Sequence, residues 1–74
     1  MPPESLLRMA NQIGAFFEAM PDRNEALEGI ATHIKKFWEP RMRRALLTQI
    51  DAHGAEGLSP FVAESIGRHR AMLG

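Results

Sequence analysis

Phe37-Trp38-Glu39-Pro40-Arg41-Met42-Arg43-Arg44 holds the only tryptophan of the chain, a proline, and three arginines within four positions. Its reading decides the fold. Proline lacks an N–H and disfavours helical geometry in the residue before it, so a helix arriving from the N-terminal side stops near Trp38. The same proline suits a first helical position, so a new helix starts at Pro40. Upstream, Leu27, Ile30, Ala31, Ile34, Phe37 and Trp38 recur at helical spacing and predict an apolar stripe ending in the aromatic pair. Downstream, Met42, Leu46, Gln49, Ile50 and His53 form one arc with Leu47 at its edge. Arg41 and Arg44 face away from it. Arg43 falls inside it, where a cation must be paired, snorkel, or meet a partner.

Working outward, Pro21 and Pro60 make two more divisions. Leu6, Met9, Ala10, Ile13, Phe16, Phe17 and Met20 share one arc of the first segment. Leu7 and Gly14 widen it, with Asn11 just beyond them and Gln12 beyond Phe16. An arc this wide belongs to a helix packed on two sides, or leaves the Leu7–Asn11–Gly14 side as a docking strip. Asp22 with Glu25 three residues on gives an N-cap and a capping-box-like start to the second segment. Gly29 lies off the stripe, and His33 is expected in solvent. Gly54 suits a helix stop, and Ser59-Pro60 a helix start. In the last segment Phe61, Val62, Ser65, Ile66, His69, Met72 and Leu73 lie on one arc. No segment alternates with period two. The expectation is an all-α single domain over 1–74, a small bundle of four helices at about 3–20, 22–38, 40–53 and 59–73.

Composition narrows the function. Nine Lys/Arg balance nine Asp/Glu, and there is no Cys. Zero formal charge argues against a general nucleic-acid binder. Without Cys there is no thiolate site and no disulfide, which fits a cytoplasmic setting. No basic, apolar leader opens the chain, and no apolar run approaches the roughly 20 residues of a membrane span. The histidines, at 33, 53 and 69, lack the spacing of a helical metal site. No nucleophile elbow or phosphate loop is present. The chain therefore reads as a module that acts by contact. Lys35, Lys36, Arg41, Arg43 and Arg44 form a basic cluster enclosing Glu39, read as part of a protein interface in preference to a solvated face or a phosphate-binding patch.

Two blocks carry a resemblance: Met9-Ala10-Asn11-Gln12-Ile13-Gly14 with Phe16-Phe17, and Phe37-Trp38-Glu39-Pro40-Arg41-Met42-Arg43, followed by Gly57-Leu58-Ser59-Pro60. With their spacing, they resemble the small delta subunit of NAD-dependent, molybdenum-containing formate dehydrogenases. The resemblance implies a non-catalytic accessory subunit of a cytoplasmic complex that oxidises formate to carbon dioxide with NAD. It implies that molybdopterin guanine dinucleotide, iron–sulfur clusters and FMN sit on other subunits and that this chain holds no cofactor. It also implies partners, the alpha subunit first, with beta and gamma in the same complex. Asn11, Gln12, Trp38, Arg41, Arg43 and Arg44 are the expected partner-binding residues. The rival readings are a transient maturation factor for cofactor insertion and a small nucleic-acid-binding helical module.

Overall fold

Five helices follow one another in the computed structural model, which describes Pro2–Gly74: α1 (Pro3–Phe17), α2 (Arg23–Phe37), α3 (Pro40–His53), α4 (Pro60–Arg68) and α5 (Arg70–Leu73). The all-helical expectation holds, and its count of four is corrected to five. The expected last helix breaks at His69, whose φ of −114° and ψ of 25° leave the helical region. Beyond the break, Leu73 is buried, and Thr32 of α2 donates to the Met72 sulfur at 3.9 Å. The first helix is shorter than expected. It ends at Phe17, and a turn closed by Met20 N–H donating to the Phe17 carbonyl at 3.0 Å leads to Pro21. The starts are encoded locally. Asp22 accepts from Glu25 N–H at 3.0 Å, and Ser59 accepts from Val62 N–H at 3.2 Å.

α2 is the central element, with α1, α4 and α5 packed around it. Its Ile30 and Ile34 meet Leu6 and Ala10 of α1, Leu46 and Leu47 of α3, Val62 and Ile66 of α4, and Leu73 in one buried cluster that includes Trp38. The one buried polar side chain among the described residues, Ser65, donates its hydroxyl to the Leu27 carbonyl at 2.5 Å. The Leu7–Asn11–Gly14 side of the wide face of α1 is engaged within the chain. Leu7 lies against Gly57, Asn11 bonds to the 54–59 turn, and Gly14 meets Val62.

Two glycines on helix interiors are seats for side chains. A Cβ on Gly14 would overlap the Val62 methyl Cγ2. A Cβ on Gly29 would lie 2.6 Å from Phe17 Cε1. Gly29 is therefore not idle on an exposed side, as its position off the stripe suggested, because the Phe17 ring packs over it.

Between α2 and α3 the chain is extended for two residues. Trp38 has φ −86° and ψ 140°, and Glu39 φ −63° and ψ 150°, the geometry a residue before proline favours. The break leaves carbonyls at the end of α2 without helical donors. Arg43, one turn into α3, turns back to them. Its guanidinium donates to the carbonyls of Lys35 at 3.1 Å and Trp38 at 3.2 Å. A cation at a helix C-terminus is favoured by the macrodipole as well as by the hydrogen bonds. The position of Arg43 inside an apolar arc thus has an explanation within the chain. Its Nε is buried without a partner.

Three predictions follow from this packing. Gly14→Ala gains up to about 1 kcal/mol of helix propensity but must displace the buried Val62, at about 1–3 kcal/mol, so it destabilises. Gly67→Ala, with open space around it, stabilises by up to about 1 kcal/mol. Urea unfolding of the two variants should give opposite signs. Arg43→Ala strands two carbonyls and costs about 1.5–3 kcal/mol, whereas Arg41→Ala, at an exposed site, changes stability by less than about 0.5 kcal/mol; the same titration separates them. The third concerns pH. Hydrogen bonding to Arg23 holds the Glu64 carboxyl below its ordinary value of 4.5, against a smaller desolvation effect. A lowered folded value gives stability that is present above the unfolded value and lost as pH falls through the folded one. Glu64→Gln should therefore lose less stability than the unmodified chain between about pH 5 and pH 2, measured by thermal unfolding across that range.

Candidate partner-binding surface

The two extended residues at the end of α2 sort its aromatic pair. Trp38 turns inward and is 6% exposed, whereas Phe37 is 71% exposed. The expectation of Trp38 in the core holds, and that of Phe37 beside it is corrected. Phe37 is still helical, the last residue of α2, and lies on a flank of the stripe, beside His33, that no other helix covers, whereas Trp38 leaves the helix and turns in. On α1, Phe16 is likewise not covered, at 74% exposed. These are the large hydrophobic side chains that the described residues leave open to solvent.

They belong to one aromatic row. Phe16 and Phe17 meet edge to face with centroids 5.3 Å apart, Phe17 and His33 at 6.2 Å, and His33 and Phe37 at 4.7 Å. His33, expected in solvent, is half-buried between the two outer phenylalanines. A groove of about 440 Å³ opens along this row, lined by Met9, Gln12, Ile13, Phe16, Phe17, His33 and Trp38. Its wall is the α1 stretch from Met9 to Phe17, its other side α2, and Trp38 reaches it from the break. An adjoining depression carries Lys36 and Phe37 at the C-terminal end of α2 and Glu25 and Glu28 towards its start.

The charges around the molecule divide into two sets. On the α2–α4 side they are paired. Arg23 forms a two-pronged ion pair with Glu64, one arm at 2.7 Å, and lies 5.6 Å from the Phe61 ring centroid. Arg68 also reaches Glu64, at 2.9 Å, and Asn24 at 3.2 Å, and Arg70 pairs with Asp51 at 2.7 Å. The hydrogen bond that Arg23 donates to Glu64 in turn raises the Arg23 guanidinium above its ordinary value. At the α2–α3 junction the pattern is different. Lys35, Lys36, Arg41 and Arg44 are exposed, and none forms an ion pair among the described residues.

The six residues expected to bind a partner therefore occupy different places. Gln12 is exposed on the groove. Arg41 and Arg44 are exposed on the first turns of α3. Trp38 and Arg43 support the junction from beneath. Asn11 is half-buried and engaged within the chain. Its amide donates to the Gly57 carbonyl at 2.9 Å and accepts from Ser59 N–H at 2.9 Å, fastening the turn before α4 to α1. Phe16, Phe37 and His33 were not among the expected site residues. Their signal was in the sequence: the arc of α1 is wider than its neighbours can cover, and Phe37 adjoins the extended residues before Pro40.

Among the described residues, no three His, Asp or Glu side chains come together as a metal site, and no helix is long and apolar enough to cross a membrane. The arrangement offers a recognition surface, aromatic on α1 and α2 and cationic at the start of α3. No curated protein and no solved structure matches the chain. The family of the NADH-dependent formate dehydrogenase delta subunit FdsD matches residues 5–66, which takes in all of the groove, the break and the turn held by Asn11. The chain belongs to the FdsD family of formate dehydrogenase delta subunits.

Proposed function

We infer that the chain is a non-catalytic accessory subunit that docks on the remainder of a cytoplasmic formate dehydrogenase complex, with the alpha subunit as its principal contact. The observation that carries this reading is the aromatic row left open to solvent on a chain whose family is a subunit of a larger enzyme. Small domains seldom leave two phenylalanines uncovered in one patch unless a partner covers them. Gln12, Arg41 and Arg44 are the exposed contacts beside that row, and Asn11, Trp38 and Arg43 hold the elements that present them. The molybdopterin guanine dinucleotide, iron–sulfur clusters and FMN of such an enzyme belong to the other subunits, and the part played by this chain is binding free energy.

The mechanism is linkage. A subunit that binds the folded, assembled enzyme and not its unfolded or unassembled forms shifts the population towards assembly. At a concentration about a hundred times its dissociation constant it contributes about 2.7 kcal/mol. This favours a permanent subunit over a transient maturation factor, because stabilisation lasts only while the subunit is bound.

Co-expression of the tagged chain with the remaining subunits should give one complex that stays together at moderate salt. Omitting the chain should lower the unfolding temperature of that complex, and adding the purified chain should restore it. Crosslinking from Lys35 and Lys36 should report alpha-subunit peptides. Elution of the chain alone, with unfolding of the other subunits unchanged, contradicts the reading.

A further inference from the structure

The chemistry of the occupant can be read from the surface. One side of it is apolar and aromatic: exposed Phe16 stands on the groove that Trp38 also lines, and exposed Phe37 stands on the adjoining depression, with Phe17 and His33 shared between the two. At the end where α2 gives way to α3 the surface is cationic. Lys35, Lys36, Arg41 and Arg44 are exposed there with no ion pair among the described residues, and the nearest acid in sequence is the single Glu39. Arg41 follows Trp38 by three residues, within about 11 Å along the chain, at the end of the molecule from which Trp38 reaches the groove. Elsewhere three arginines are paired, Arg23 and Arg68 on Glu64 and Arg70 on Asp51, and Arg8 on α1 is exposed without an ion pair among the described residues. Four exposed, unpaired cations thus gather at the α2–α3 junction, and Glu25 and Glu28 lie towards the other end of α2.

Resting on the subunit reading above, we propose that this surface receives an amphipathic segment of the partner subunit that lays apolar side chains along the row from Phe16 to Phe37 and sets carboxylates against Lys36, Arg41 and Arg44. Charge complementarity fixes its direction, with the acidic end at the α2–α3 junction. The family, a subunit of a larger enzyme, favours another subunit over a second copy of this chain as the occupant. Single-stranded nucleic acid would also find stacking faces and cations, but the balanced charge of the whole chain and its family point to a protein.

The only tryptophan lines the groove, so a chain made with fluorotryptophan carries one fluorine reporter there. Titrating it with the formate dehydrogenase subunits purified without this chain should shift that resonance. Phe16→Ala with Phe37→Ala should weaken binding at least about tenfold. Arg41→Glu with Arg44→Glu should weaken it as much at low salt and flatten its dependence on sodium chloride. All four sites are exposed, so each free variant should keep the helical circular dichroism and cooperative thermal unfolding of the unmodified chain. If the unmodified chain binds the subunits but neither double variant changes affinity or salt dependence, this proposal is overturned and the subunit reading stands. If the unmodified chain does not bind them at all, both fall. Two further results also overturn it: saturable binding of a single-stranded oligonucleotide that is lost with Phe16 and Phe37, or self-association of the chain through these residues.

Discussion

The guanidinium of Arg43 ties the end of one helix to the beginning of the next, and the geometry of the open surface depends on that tie. Pro40 stops α2 and starts α3, but a break by itself leaves carbonyls unsatisfied and the two helices free to swing. Arg43 fills two of those carbonyls from one turn into α3. With the junction held, the extended residues send Trp38 into the core and leave Phe37 outside. The same hold fixes the start of α3, on which Arg41 and Arg44 are exposed.

The rest of the molecule is built so that few other features invite a partner. The α2–α4 side is laced by ion pairs centred on Glu64, and the far side of α1 is fastened by the Asn11 amide to the turn before α4. Close crossings are made possible by Gly14 under Val62 and by Gly29 under Phe17. That last contact connects core to surface. The ring of Phe17 that packs over Gly29 is also the middle of the exposed aromatic row.

Much of this was legible in the sequence. The prolines and caps gave α2 and α3 almost to the residue, because Asp22, Pro40 and Ser59-Pro60 act locally. Helical periodicity picked out Leu6, Ala10, Ile30, Ile34, Leu46, Val62 and Ile66 as core, and all are buried. What periodicity missed has two causes. Phe37 is on the helix as expected but at the edge of its stripe, where no neighbouring helix covers it, and the last helix was drawn straight through His69 because nothing local marks the break. Arg43 was recognised as out of place, yet its hydrogen bonds reach back across the junction, which a reading of α3 alone does not contain. Asn11 looked available, and its bonds are to residues 46 and 48 positions away. The candidate surface was thus half legible. Its cations were found from their clustering, and its aromatic part required knowing which faces the other helices leave uncovered.

The central claim is that the side of the molecule carrying the aromatic row and the α2–α3 junction is the one a formate dehydrogenase partner covers. Amide hydrogen exchange, compared between the free chain and the chain bound to the remaining subunits, tests it most directly. The account predicts added protection in the segments around Gln12–Phe17 and His33–Arg44, with the α4 segment around Glu64 and Arg68 unchanged. Protection confined to the α4 segment, with the aromatic row exchanging as in the free chain, would contradict it.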